Sequence, residues 1–448
     1  MPTSYVSPND IRHQFSLAMS DMYQKEVPLY SDLLDLVHQV NAGVLAKDEQ
    51  LKQQLAASHE LERIDLERHG AIRLGTAQEL ATMCRLFAVM GMQPVGYYDL
   101  SVAGVPVHST AFRALDSEDL QVSPFRVFTS LLRLELIEDE SLREEAKATL
   151  QKRQIFNDKV LQLIEKAEKE GGLNQTDADE FVAQALETFR WHQTAPVSKA
   201  LYERLNDSHR LIADVVGFQG PHINHLTPRT LDIDAVQVSM DGFNIPAKEI
   251  IEGPPRRQCP ILLRQTSFKA LNEKIHFAGD NSDGNHTARF GEIEQRGVAL
   301  TEKGRDLYDE LLNKAREELG IKPESNPDAY YAKLSEVFSV FPDDYKTMHH
   351  EKLAYFYYHK NGELPEDVSD INALVDSGVL SIVPIVYEDF LPVSAAGIFQ
   401  SNLGEGVRDD YGSVSNQDSF EQALGQKVND ITAMYDAMQA KSLAAALA

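Results

Sequence analysis

Two cysteines, Cys84 and Cys259, are all that this 448-residue chain contains. They stand far apart and outside any CxxC spacing, which excludes a disulfide framework, a zinc knuckle and an iron–sulfur cluster and fits a reducing compartment. Basic residues are also in deficit: 43 Lys and Arg against 69 Asp and Glu give a formal net charge of −26. No dense Lys/Arg block interrupts the acidic field, so a groove that tracks nucleic-acid phosphates is not expected. Long apolar runs are missing as well. The most apolar late stretch, Val379 to Tyr387, is too short to span a bilayer, and the first residues have neither the basic nor the apolar region of a signal peptide. A cytoplasmic protein without nucleic-acid or membrane partners is expected, and its oligomeric state is left open. An anionic ligand would have to be captured by one or two arginines against the global charge, which makes isolated arginines informative.

What is present is a 43% hydrophobic chain, enough to bury a substantial core, whose patterning alternates between helix and strand periods. The spacing predicts an α+β protein. Residues 1–60 read as an N-terminal helical cover, with Ser7 capping a helix that begins at Pro8. Residues 61–137 read as a β-α-β-β-β module: a strand over Arg68–Leu74, a helix opened by the capping box Thr76/Glu79, then strands near Gly96–Leu100, Val107–Leu115 and Arg126–Leu136. Residues 138–217 form a helical insertion, with a capping box at Ser141/Glu144 and a break at Gly171-Gly172. Residues 218–300 give a second strand-rich module. Residues 301–448 add helices capped at Thr301 and Asn326, strands over Lys352–Tyr358 and Val379–Pro392, and a closing helix from Asp418.

The second module repeats the first. His69-Gly70-Ala71-Ile72-Arg73 recurs as His225-Leu226-Thr227-Pro228-Arg229, and Thr110-Ala111-Phe112-Arg113-Ala114-Leu115 recurs as Thr266-Ser267-Phe268-Lys269-Ala270-Leu271. Both recurrences fall at one offset of 156 residues (69 to 225, 110 to 266), which points to duplicated modules. Two such units can join their curved sheets into one barrel-like cavity, and pseudo-twofold pairing would bring His69 and His225 to it together.

Two imidazoles suit iron(II), zinc or copper. A third ligand would come from Phe290-Gly291-Glu292-Ile293-Glu294-Gln295-Arg296, where Glu292 and Glu294 share a strand face and periodicity does not choose between them. Two His and one carboxylate make a facial triad with positions open for a bidentate 2-oxo acid and dioxygen. A lone histidine in a strand is more often structural than a ligand; the repeat register is what lifts this pair. His222 falls on the opposite face from His225 and reads as supporting or structural, and His349-His350 reads as surface or loop. Arg73, four residues after His69, lies on the same face about 13 Å along the strand, within reach of the far carboxylate of a diacid whose 2-oxo end sits on the metal. The bland reading of an inward arginine is a buried ion pair. Arg229 fits either. At the common offset Glu292 maps to Leu136, which weakens a glyoxalase-type site with a second carboxylate, although Glu135 and Glu138 lie close enough to keep it open.

The stretches Arg68 to Arg73, Ile223 to Arg229, Phe290 to Gly297 and Leu391-Pro392-Val393-Ser394-Ala395-Ala396-Gly397 resemble the bacterial 2-oxoadipate dioxygenase/decarboxylase family, also called hydroxyglutarate synthase. The resemblance covers nearly the whole chain. It implies a vicinal oxygen chelate fold, iron(II), and conversion of 2-oxoadipate and dioxygen to D-2-hydroxyglutarate and carbon dioxide in lysine breakdown. It implies that His69 and His225 hold the metal, that Arg73 binds the distal carboxylate, and that Val393 and Ser394 contact the substrate. The similar hydroxyphenylpyruvate dioxygenases carry their ligand Glu shortly before a Gln-Arg pair, which ranks Glu292 above Glu294. The competing readings are extradiol cleavage or isomerisation on the same scaffold, or a non-catalytic binder of small organic acids.

Overall fold

The strand expected over Arg68–Leu74 forms with those bounds (β1), in a computed structural model that describes residues 5–287, 289–366, 368–391 and 414–448. Thr76 and Glu79 make the capping box of the helix Ala77–Val89, and β2 (Gln93–Asp99), β3 (Val107–Arg113) and β4 (Arg126–Leu132) follow. β4 pairs with β1 in parallel and with β3 antiparallel, and β2 closes the order on β3. After the short β5 (Thr194–Ala195), β6 (Leu226–Pro228) lies antiparallel against the free edge of β1, giving a five-stranded sheet of order β2-β3-β4-β1-β6.

The second module continues with the helix Ile233–Ser239, β7 (Leu263–Ser267), β8 (Asn272–Phe277), β9 (Ser282–Thr287) and β10 (Glu292–Arg296). β10 pairs antiparallel with β7 and meets the end of β6 through a parallel bridge between Arg229 and Glu294. These are the relations that β4 holds to β3 and β1. The counterpart of β2 is reduced to isolated bridges at Ala247–Phe268 and Glu252–Gln265, and β8 and β9 form a hairpin that pairs with β5 in a separate sheet. The class is α+β, and among the described residues the strands form an open array. β11 (Phe356–Lys360) and β12 (Leu380–Pro384) make a further antiparallel pair, later and shorter than expected.

Several local expectations are corrected. Asp139, not Ser141, caps the helix Glu140–Gln151, because its extended backbone lets the carboxylate accept from the Leu142 amide. β4 stops at Leu132, and Leu134–Leu136 turns as a single 3-10 unit. His349 and His350 belong to the helix Tyr345–His350, capped by Asp344, and His349 is buried with Nε2 2.9 Å from the Tyr358 hydroxyl. The closing helical segment is two helices, Val414–Leu424 and Ile431–Leu447.

Two features bring the duplicated strands into register. Gly70 on β1 faces the segment before β6 so closely that a Cβ there would sit 2.5 Å from Ile223 Cδ1 and 3.1 Å from the His225 carbonyl. From the first helix, Pro8–Glu26, the buried Tyr23 hydroxyl reaches the carbonyls of Asn224 (2.9 Å) and Phe290 (2.8 Å), the residues just ahead of His225 and β10. Behind the strands lies a buried ion-pair network. Arg229 binds Glu60 (2.5 Å) and Glu67 (3.1 Å), Arg126 binds Glu67 (2.8 Å) and Glu388, and Arg63 binds Glu388 (2.5 Å). Arg229 is therefore a buried ion-pair residue, the blander of its two readings.

Candidate metal centre

His69 leaves β1, His225 stands immediately before β6, and Glu292 opens β10; one ligand atom from each lies within 4.8 Å of the others. All three side chains are fully buried. The two imidazoles meet edge to face with centroids 5.6 Å apart, and Phe390 and Phe290 pack on His69 and His225 respectively. Both ring nitrogens of each histidine, and Glu292 Oε2, make no hydrogen bond of good geometry. A buried polar atom left so costs about 1–3 kcal/mol, and a divalent cation between them would give each residue a partner. The donor set fits a metal.

Strand periodicity left Glu292 and Glu294 equivalent and the family resemblance ranked Glu292 first; the structure gives the two different surroundings. Glu292 Oε1 lies 3.4 Å from His69 Nε2 and accepts from Gln265 Nε2 at 2.5 Å. Glu294 lies on the other side of the same ring, 3.2 Å from Nδ1, and is gripped by both nitrogens of an Arg296 fork at 2.7 and 2.9 Å. A carboxylate on one ring nitrogen of a histidine favours one tautomer and orientation, and Glu294 stands at Nδ1. Charge follows the same division. Burial raises the Glu292 carboxyl above its usual range, whereas Arg296 and His69 outweigh burial and hold Glu294 down at about 2. Burial alone would lower His69, but Glu294 and Glu292 carry it upward; burial, His69 and Arg73 keep His225 far below its ordinary value, and thus neutral.

The strand pairing also corrects the module-to-module equivalence. Arg73 stands opposite Ser130 and Arg229 opposite Glu294. Glu294 therefore matches Ser130, and Glu292, two residues earlier, matches the buried Phe128 rather than Leu136. The β8–β9 hairpin lengthens the second module and breaks the constant offset. The first module supplies an aromatic ring where the second supplies a carboxylate.

Arg73 is buried and its Nη1 donates to Asp214 Oδ2 at 2.6 Å. Asp214 comes from the helix Arg210–Val216, inside the segment read as an insertion. With His222, which sits in a loop rather than a strand, and His286 of β9 it forms a second buried cluster of mutually close ligand-type atoms. Gln265, Asp214 and His286 were not singled out from the sequence: none belongs to the repeated motifs, and the hairpin that carries His286 has no counterpart in the first module. Val393 and Ser394 lie outside the described residues.

Comparison with known proteins identifies the family. The 2-oxoadipate dioxygenase/decarboxylase family model matches residues 15–402. A relative of that name from Pseudomonas putida is 57% identical over 99% of this chain and 98% of its own, and one from Escherichia coli is 54% identical over 98% of each. The crystal structure of hydroxyglutarate synthase from Pseudomonas putida in complex with 2-oxoadipate superposes with a TM-score of 0.91 at 55% identity, covering 99% of this chain and 98% of that one. This chain belongs to the 2-oxoadipate dioxygenase/decarboxylase family.

Proposed function

We propose that this protein uses iron(II), held by His69, His225 and Glu292, to convert 2-oxoadipate and dioxygen to D-2-hydroxyglutarate and carbon dioxide, on two joined modules of the vicinal oxygen chelate type. The observation that carries the reading is the convergence of two buried imidazoles, neither with a hydrogen bond of good geometry, and one carboxylate from three separate parts of the chain, in a chain of this family. When bound, iron(II) supplies a chelation site for the 2-oxo acid and the activation of dioxygen.

The protein's own residues then do the following. His225, kept neutral, and His69, oriented through Nδ1 by Glu294, present lone pairs in fixed directions. Gln265 holds Glu292 in place. Phe390 and Phe290 pack apolar surface on the histidines, with Phe128 behind Phe390, and exclude water. Arg73, on the same strand as His69 and close enough for its charge to depress His225, binds the distal carboxylate and fixes which carbon and which hydrogen face the reacting oxygen. Contact by Val393 and Ser394 rests on the family resemblance.

The test is anaerobic loading with iron(II), addition of 2-oxoadipate and air, and simultaneous measurement of oxygen, carbon dioxide and 2-hydroxyglutarate. One-to-one-to-one stoichiometry that disappears in His225→Ala and Glu292→Ala is expected. Tight binding of the acid without oxygen consumption would overturn the reading in favour of a sequestering protein.

A further inference from the structure

The guanidinium of Arg73 is anchored by a relay that runs away from the metal centre. Asp214 Oδ2 takes Arg73 Nη1 at 2.6 Å, while its other oxygen, Oδ1, lies 2.9 Å from His286 Nε2 and 3.3 Å from His222 Nε2. His286 is set in turn by the Tyr202 hydroxyl, 2.7 Å from Nδ1. Aromatic rings wall the cluster: Trp191 meets His222 edge-on at 4.6 Å and stacks on His286 at 5.9 Å, and Phe218 lies 4.6 Å from His286. Asp214, His222 and His286 are all at least 94% buried. Four different parts of the chain build the relay: the helices Lys199–Ser208 and Arg210–Val216, the loop before β6, and β9.

We infer that Asp214, with His286, His222 and Tyr202 behind it, is a positioning relay that fixes the direction of Arg73 and thereby makes the site selective for 2-oxo acids that carry a distal carboxylate. The inference rests on the assignment of Arg73 to that carboxylate. A free arginine side chain has many rotamers, and its planar fork gains specificity when its direction is held. Asp214 holds Nη1. The charge is what an anchor requires: burial would raise the Asp214 carboxyl, yet His222 and Arg73 hold it well below its usual range, so it stays an anion. A resident cation fits the same cluster poorly. Arg73 and Arg210 both act on the single carboxylate, and Arg289 adds positive potential at His222. The segment between the two modules thus contributes to substrate choice through Tyr202 and Asp214.

The experiment compares 2-oxoadipate with 2-oxohexanoate, its analogue without the distal carboxylate, on the iron-loaded full chain. Both kcat/KM and inhibition constants are measured, together with metal content and carbon dioxide released per hydroxylated product. Arg73→Met, Asp214→Asn and Tyr202→Phe are the variants. Asp214→Asn is expected to lower kcat/KM for 2-oxoadipate roughly 10- to 100-fold, mainly through KM, and to release carbon dioxide without matching product, while the handling of 2-oxohexanoate stays within about threefold. Tyr202→Phe changes no charge and touches neither Arg73 nor substrate; it should cost about fivefold for 2-oxoadipate alone, the loss of one hydrogen bond. If Arg73→Met abolishes the preference but Asp214→Asn and Tyr202→Phe keep it, the relay is overturned and the Arg73 assignment survives. If Arg73→Met keeps the preference, the assignment fails and the relay with it. A second equivalent of metal, lost in Asp214→Asn, would also overturn it and make the cluster a cation site.

Discussion

Glu292 and Glu294 differ in what stands behind them, and the consequence is measurable residue by residue. Glu294→Gln removes the charge that orients His69 and should weaken iron(II) binding about 10- to 100-fold while leaving detectable turnover at saturating metal. Glu292→Gln should abolish turnover at any iron concentration. Metal content after gel filtration, titrated against activity, separates the two; equal and complete loss in both would make Glu294 a ligand as well. Strand periodicity placed both carboxylates on one face, and only the family resemblance ranked Glu292 first. The distinction depends on Arg296 closing on Glu294 and Gln265 closing on Glu292, and Gln265 belongs to another strand. Arg73 shows the same limit: its inward direction was legible from its four-residue spacing to His69, but Asp214, 141 residues on, was not.

At the scale of elements, the close approach of β1 to the segment before β6 predicts a sensitive glycine. Gly70→Ala would press its methyl into Ile223 and the His225 carbonyl, costing about 1–3 kcal/mol and displacing His225 from His69. Because the nearer obstacle is a side-chain tip, Gly70→Ala with Ile223→Val should recover part of both stability and activity, read by thermal unfolding and turnover. No recovery would mean that the carbonyl contact sets the cost. The first module was legible almost whole, since β1 and the capping box of Thr76 and Glu79 are written in adjacent residues. The second was legible only through its repeat. Its β8–β9 hairpin shifts the register between Thr266 and Glu292, so an offset that serves for His225 fails for the glutamate.

For the whole molecule, the buried ion pairs tie the N-terminal turn, both modules and the C-terminal segment through Glu67 and Glu388. Burial would raise these carboxyls, but Arg229, Arg63 and Arg126 keep Glu67 well below the usual range, and Arg63 and Arg126 keep Glu388 at about 2. A depressed carboxyl in the folded state contributes stability that is complete above its unfolded value of 4.5 and is lost as the pH falls from there toward 2. Thermal stability should therefore fall steeply below about pH 5, and Glu388→Gln should flatten that slope. At neutral pH the same variant should cost about 3–5 kcal/mol, because Arg63 and Arg126 stay buried with less countercharge. An unchanged acid slope would remove Glu388 from the account. Of this network only Arg229 was read from the sequence, as one of two alternatives; its other members are single charged residues scattered from Glu60 to Glu388.

The contact of Tyr23 with Asn224 and Phe290 also sets a timetable for synthesis. The first helix leaves the ribosome long before the two carbonyls its hydroxyl will meet, and at about 5–20 residues per second the wait is roughly 10–50 s. During that interval Phe15, Met19 and Tyr23, which end completely buried, have no finished surface to cover them. Phe15 meets Phe125 and Phe189 earlier, but a chain released before residue 290 would leave Tyr23 without the carbonyls that seat it.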